Sequence, residues 1–249
     1  MPFADWFSYT EFSYSVRRSF RFDRSDEDAA FLDAVLEGAS RRCVIYPPSR
    51  PLWRAQLGCD VVDASSFLPI EPKFELMVRT PFGEKRMVPL NNAREGRVNP
   101  KGIPCLYLSD DSATAMAEMR AWIGGHISLA SFCPTKELRL VNFNSTEQSL
   151  VANLDKMMRN LVTLEEQYVW YFISQAFSEP VSNEDNVADY APTQVIAESL
   201  KRAGYDGIQY ESKVGKGKTI ALFDIKSASF VESKLFIVKN LSAVFAEED

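Results

Sequence analysis

The sequence predicts a mixed α+β domain with a central, partly antiparallel sheet flanked by helices. Helical and strand-like patterns alternate irregularly, several strands follow one another across short turns, and no succession of strand–helix–strand units appears. A doubly wound parallel sheet needs that succession and is excluded. The 249 residues are 46% apolar and 25% charged, a globular composition with side chains enough for one substantial core.

Each element has a local reason. The first 22 residues carry Phe3, Trp6, Phe7, Tyr9, Phe12, Tyr14, Phe20 and Phe22. Exposed, such an arm is an aggregation liability, so it is expected to dock on its own domain. Ser25 is placed to cap a helix running to about Arg41, with Asp26, Glu27 and Asp28 at its positive end and an apolar stripe of Phe31, Leu32, Val35, Leu36 and Ala39. Strands are expected at 43–46 and 52–57, the second ended by Gly58, followed by a proline-containing, loop-rich stretch from 60 to 100. Residues 103–108 form a short apolar strand, and residues 109–112 offer N-caps for a helix over 113–122 before Gly124.

Residues 127–132 and 138–143 read as two strands paired with each other. A helical pattern covers 146–178, and an acidic loop follows with Glu179, Glu184, Asp185 and Asp189. Pro192 suits the first turn of a helix with Val195, Ile196 and Leu200 on its apolar stripe and Gly204 as its stop. Strands at 207–210 and 219–223 flank a glycine-containing loop, and a strand over 230–238 precedes an acidic tail. This divides the chain into an aromatic arm and helix, 1–42, and a larger unit, 43–249, with a helical insertion near 146–188.

Composition narrows the function. Net charge is −6, against the basic surplus of a duplex-binding domain, so no direct nucleic-acid partner is expected. The longest apolar run, 168–173, is six residues where a membrane span needs about 20. No signal-peptide pattern opens the chain, and a soluble, cytoplasmic protein is expected. Cys43, Cys59, Cys105 and Cys133 lack the close spacing of a zinc knuckle or redox pair, and Cys43, Cys105 and Cys133 read as small hydrophobes in strands. The single histidine, His126, follows a glycine turn and precedes an apolar run, which places it at the start of a strand rather than in a triad. No metal site is expected.

The polar residues that interrupt apolar strands, or follow them at once, are the candidates for chemistry. Arg54 sits inside a strand, where a snorkelling arginine is the plain alternative. Between Arg94 and Gly102, Arg97, Asn99 and Lys101 lie among glycines in a pattern that suits anion binding, although a surface turn fits the same composition. The Gly-Lys-Ser/Thr ending of a P-loop is missing. Glu118, 11 residues after Tyr107, lies among Ala115, Met116, Ala117 and Met119, where a carboxylate is costly unless paired or functional. A salt bridge to Arg54 or Arg120 would be the structural explanation. Ser212 beside residues 215–218 is a common turn serine, and without a histidine base it is a poor nucleophile.

Gly96-Arg97-x-Asn99-x-x-Gly102-x-Pro104-x-x-Tyr107, followed by Glu118, resembles the RES-domain family. So does Tyr190-x-Pro192-Thr193-Gln194 with Gly204-Tyr205-Asp206-Gly207-Ile208-x-Tyr210-x-Ser212. The resemblance covers residues 43–144 and 189–224, and Arg54, Glu118 and Ser212 stand where the family has the arginine, glutamate and serine of its name. It implies a fold similar to ADP-ribosyltransferase toxins and an activity that consumes NAD. It also implies a toxin role with a helix-turn-helix antitoxin as partner. Arg54, Tyr107, Glu118 and Ser212 would form the catalytic set, with Arg97, Asn99 and Lys101 binding the dinucleotide. NAD is then a substrate, inorganic phosphate the expected co-substrate, and no resident cofactor is implied.

The chemistry agrees with that allocation. Breaking the nicotinamide–ribose bond leaves an oxocarbenium-like centre, and nicotinamide departs from a cationic state without needing a proton. A carboxylate facing the developing positive charge is the main requirement. Glu118 would supply it, Arg54 would grip a phosphate, Tyr107 would offer a ring and Ser212 a hydroxyl. NAD phosphorolysis is the leading expectation. Transfer of ADP-ribose to a protein and a catalytically silent nucleotide-binding module are the alternatives, and the helical insertion leaves a homo-oligomer open.

Overall fold

The strands are arranged to leave one side of the sheet partly open, and that opening positions the site. The computed structural model describes residues 3–65, 76–89, 93–144, 163–179 and 187–242. Helices α1 (Ser8–Arg18) and α2 (Asp26–Arg41) come first, followed by strands β1 (Cys43–Tyr46), β2 (Leu52–Leu57), β3 (Asp60–Asp63) and β4 (Met77–Thr80). Helix α3 (Glu84–Met87), strand β5 (Leu106–Ser109) and helix α4 (Ser112–Ala117) lead to β6 (His126–Pro134) and β7 (Leu138–Asn142). The chain continues through α5 (Leu164–Ser178), α6 (Ala191–Arg202), β8 (Gly207–Glu211), β9 (Lys218–Leu222) and β10 (Ala228–Ile237).

The main sheet runs β1-β7-β8-β9-β5-β2-β6-β10, and β3 pairs with β4 in a separate hairpin. Every ladder in the main sheet is antiparallel except the one between β7 and β8. A mixed, largely antiparallel sheet flanked by helices is therefore the architecture, as the patterns predict. The pairing of β6 with β7 is not. β6 lies between β2 and β10, whereas β7 lies between β1 and β8.

The link between those two strands constrains the shape. Five steps across a flat sheet cover about 24 Å at the usual strand spacing. The four Cα steps from Pro134 to Leu138 reach at most about 15 Å. The sheet must curl over itself, and its inner face shows that it does. Tyr46, Leu52, Leu106, Leu108, Phe132, Leu138, Leu140, Ile220 and Leu222 form one buried cluster drawn from both ends of the strand order. Sequence adjacency favours a hairpin, but burial of two apolar faces against each other separates the strands.

The outer face of β7, β8 and β9 is covered by α1, α2, α5 and α6. Val141, Ile208, Tyr210 and Ala221 pack there with Phe12, Val35, Trp170, Phe177 and Ile196. The aromatic arm is thus a helix, and it docks as expected: Phe12 stacks on Phe31 at 4.4 Å, and Phe3 meets Trp170 edge-on. Trp6, Phe7, Tyr14, Phe20 and Phe22 remain exposed. A smaller cluster of Ala55, Ala115, Ala121, Ile127 and Leu129 lies under α4.

Local signals place the helix ends. Ser25 Oγ accepts from Asp28 N–H, and Thr163 Oγ1 accepts from Glu166 N–H. Gly204, at φ 84°, closes α6 with Gly204 N–H donating to Lys201 O and Tyr205 N–H to Leu200 O, a Schellman ending. The stretch expected to be loop contains the β3–β4 hairpin and α3. The expected helix over 113–122 is shorter, ending at Ala117. There Gly124 N–H donates to Val238 O and Val238 N–H to Gly125 O, which draws the chain off the helical path, and Arg120 takes a left-handed φ of 44°. Residues 145–162 and 180–186 lie outside the described residues, so the expected insertion is described only from Thr163 to Glu179 and from Val187.

Candidate active site

Strands β2 and β5 share a single register pair, Trp53 with Ser109. Where they part, a cavity of about 410 Å³ opens, lined by both strands, by α4 and its exit, by the end of α5 and by the β8–β9 loop. Arg54 comes from β2 and bridges the gap: its Nη1 donates to Tyr107 O on β5 at 3.0 Å. A carbonyl left beside a parted ladder needs such a donor. Arg54 Nε is buried on the same wall without a partner among the described residues, and burial lowers the pKa of the guanidinium.

Tyr107 also lines the cavity, with its hydroxyl engaged behind the wall. The hydroxyl donates to Asn99 Oδ1 at 2.8 Å and accepts from Val98 N–H at 3.0 Å. Burial pushes its phenol well above the usual value, and Tyr210 nearby is raised by burial too. Tyr107 therefore presents its ring.

Asn99 is 1% exposed and binds the chain itself, its Nδ2 donating to the carbonyls of Arg94, Pro100 and Ile103. Gln194, in the Tyr190–Gln194 motif, donates from Nε2 to Gly96 O and Asn99 O. Gly96 N–H also donates to Asn99 O, and a Cβ on Gly96 would meet Tyr107 Oη at 2.7 Å, so only glycine fits. This bonded turn aims Arg97 into the cavity wall, where Nη1 donates to Phe177 O at the end of α5. Lys101 is exposed and neither it nor Asn99 is among the lining residues.

Across the cavity, Glu118 caps the C-terminal end of α4. Ser212 Oγ donates to Glu118 Oε1 at 2.6 Å and accepts from the N–H groups of Val214 and Gly215. That serine hydroxyl is fully engaged and orients the carboxylate. The carboxylate takes its bond from Ser212, while Arg54 is turned to Tyr107 O, so the Arg54–Glu118 salt bridge is not formed. The β8–β9 loop is locked onto α4: Gly217 N–H donates to Thr114 Oγ1, Lys218 N–H to Asp110 Oδ1, and a Cβ on Gly215 would meet Thr114 at 2.6 Å. Glycine at 215 and 217 therefore serves close packing against α4.

The structure thus brings Arg54, Tyr107, Glu118 and Arg97 to one cavity, holds Ser212 against Glu118, sets Asn99 behind Tyr107 and leaves Lys101 outside. His126 begins β6, away from the lining. Arg120, Lys213 and Ser178 also line the cavity, and of these the sequence pointed only to Arg120, as a salt-bridge partner for Glu118. Adjacency to Glu118 and Ser212 was a signal for the first two; nothing local marks Ser178. Among the described residues four cationic side chains, Arg54, Arg97, Arg120 and Lys213, face two carboxylates, Glu118 and Glu211, so the cavity suits an anionic ligand that develops positive charge at one point.

A family model, described as the RES domain, matches residues 72–242. The match begins after Arg54, takes in Arg97, Tyr107, Glu118 and Ser212, and runs through α5. No curated protein sequence matches the chain. Among solved structures, the M. tuberculosis MbcT-MbcA toxin-antitoxin complex is similar at 14% identity, covering 82% of this chain and 92% of that chain with a TM-score of 0.41.

Proposed function

Because the chain belongs to the RES-domain family, we propose that it is an NAD-consuming enzyme that cleaves the nicotinamide–ribose bond with inorganic phosphate as acceptor. The observation that carries this reading is the Glu118 carboxylate, oriented by Ser212 at 2.6 Å on a cavity otherwise rich in cations. Glu118 faces the ribose, where positive charge grows as the bond to nicotinamide lengthens, and is preorganised for it. The electron pair of the C–N bond leaves with nicotinamide, which departs neutral. A phosphate oxygen forms the new C–O bond, giving ADP-ribose-1″-phosphate.

Arg54 and Arg97 bind phosphate oxygens in this scheme, and the rings of Tyr107 and Tyr210 form an apolar wall. The fold is read with this activity as ADP-ribosyltransferase-like, and the toxin role and helix-turn-helix antitoxin follow the family reading. A phosphate dianion needs no general base, whereas water would ask Glu118 both to steady the cation and to take a proton. The test is incubation with NAD in phosphate-free and phosphate-containing buffer, with products identified by mass spectrometry. Nicotinamide and ADP-ribose-1″-phosphate appearing only with phosphate is the expected result. Plain ADP-ribose at full rate in both buffers would leave a hydrolase.

A protein acceptor is the second reading. Trp122 and Ile123, 65% and 62% exposed, lie two and three residues after Arg120 and offer an apolar contact close to the cavity. Labelled ADP-ribose retained on protein, and absent with Glu118→Gln, would favour it.

A further inference from the structure

Ser178 is a polar cavity residue to which the scheme above gives no role. It ends α5, is 7% exposed and lines the cavity, yet among the described residues its Oγ has no hydrogen-bond partner. A buried hydroxyl in that state destabilises the empty protein. A serine on a helix has an easy local remedy, donation to the carbonyl four residues back, and Ser178 does not take it. Its hydroxyl is therefore free for something that enters the cavity.

The neighbours select the ligand. Phe177, the preceding residue, gives its carbonyl to Arg97 Nη1 at 3.1 Å, which places a guanidinium at the end of α5 next to Ser178 in the chain and offsets the helix's negative end. On the same cavity Arg54 Nε, which can only donate, is also buried without a partner among the described residues. Unpaired donors among an excess of cations call for an acceptor that carries negative charge. A neutral hydroxyl or amide would satisfy Ser178 and leave that excess unanswered.

We propose that Ser178 Oγ and Arg97 form a subsite for a phosphate oxygen, with the serine hydroxyl donating to it. The phosphate is either the pyrophosphate of the dinucleotide or free inorganic phosphate, and this choice alone rests on the proposed NAD cleavage. Ser178 acts on binding and alignment, since Glu118 faces the reacting carbon from α4.

The test compares the parent with Ser178→Ala and Ser178→Thr. Calorimetry measures binding of inorganic phosphate and of ADP-ribose, thermal melting measures the empty proteins, and steady-state assays separate the KM for NAD from that for phosphate. Ser178→Ala is expected to weaken one ligand about tenfold, as for loss of one hydrogen bond to a charged group. Its melting temperature should equal or exceed the parent's, because an unpaired buried hydroxyl is removed. Ser178→Thr, which keeps the hydroxyl, should recover most of the affinity. Weakened ADP-ribose binding assigns the pyrophosphate, and weakened phosphate binding assigns the free anion. Unchanged affinity for both, a parent that binds neither, or a Ser178→Ala variant that melts lower would overturn the subsite. A parent that binds either ligand but leaves NAD intact would instead refute the proposed reaction, with the binding comparison still deciding Ser178.

Discussion

Glu118 and Ser212 meet across 94 positions of sequence at 2.6 Å, and the contact gives each a distinct task. The hydroxyl is saturated by its own loop and by the carboxylate, so of the pair only Glu118 brings charge. Glu118→Gln keeps the shape and the Ser212 contact but removes that charge, and NAD turnover should fall about 10²–10³-fold. A melting curve matching the parent's would confirm that the loss is chemical. Arg54 has two tasks, closing the gap to Tyr107 O and offering its unpaired Nε to the cavity. Arg54→Lys retains a charge that can serve one of them. Turnover is expected to drop about 10–100-fold, the range for a lost charge-assisted hydrogen bond. An unchanged rate would assign Arg54 to the β2–β5 junction alone.

Helix α4 is only six residues long, and its position depends on its ends. Asp111 caps it, its carboxylate accepting from both the Oγ1 and the N–H of Thr114, while Thr114 Oγ1 in turn accepts from Gly217 N–H. One cap therefore holds the helix that carries Glu118 and the loop that carries Ser212. Asp111→Ala should cost about 1 kcal/mol of stability and lower turnover through misplacement of Glu118. The bonds from Thr114 hold the Asp111 carboxyl below its ordinary value. A depressed carboxyl stabilises the fold above its unfolded pKa, and that contribution is lost as pH falls through the lower folded value. The difference in melting temperature between parent and variant should therefore be full at neutral pH and shrink below about pH 4. A gap that persists unchanged in acid would place the effect elsewhere.

For the whole molecule, the aromatic arm is integral to the helical layer behind the site. Phe12 is 2% exposed and stacks on Phe31, in the same cluster as Trp170, Phe177 and Tyr210, the last of which lines the cavity. Phe12→Ala should cost about 3–5 kcal/mol, measured by chemical denaturation, with the folded fraction keeping its activity. Loss of activity without loss of stability would instead tie the arm to the reaction. Among the described residues no helix is long and apolar enough to cross a membrane, and Phe20 and Phe22 lie exposed between α1 and α2.

The sequence by itself determined what is settled within a turn or two of chain. Ser25 and Gly204 mark helix ends because their partners lie within a few residues. Arg54, Glu118 and Ser212 stand out as polar residues in or beside apolar stretches, and the structure sets Arg54 and Glu118 on one cavity with Ser212 against Glu118. Only the tertiary structure decided what depends on closure. β6 and β7 part because the sheet curls to bury two faces together, although three residues join them. Asn99 became a brace for Tyr107, and Lys101 fell outside the cavity, because the turn folds against Gln194 on a distant helix. Ser178 carries no local mark, since an unpaired hydroxyl exists only once α5 is packed against Arg97. Local hydrogen bonds are written into neighbouring residues, whereas burial is a property of the closed chain.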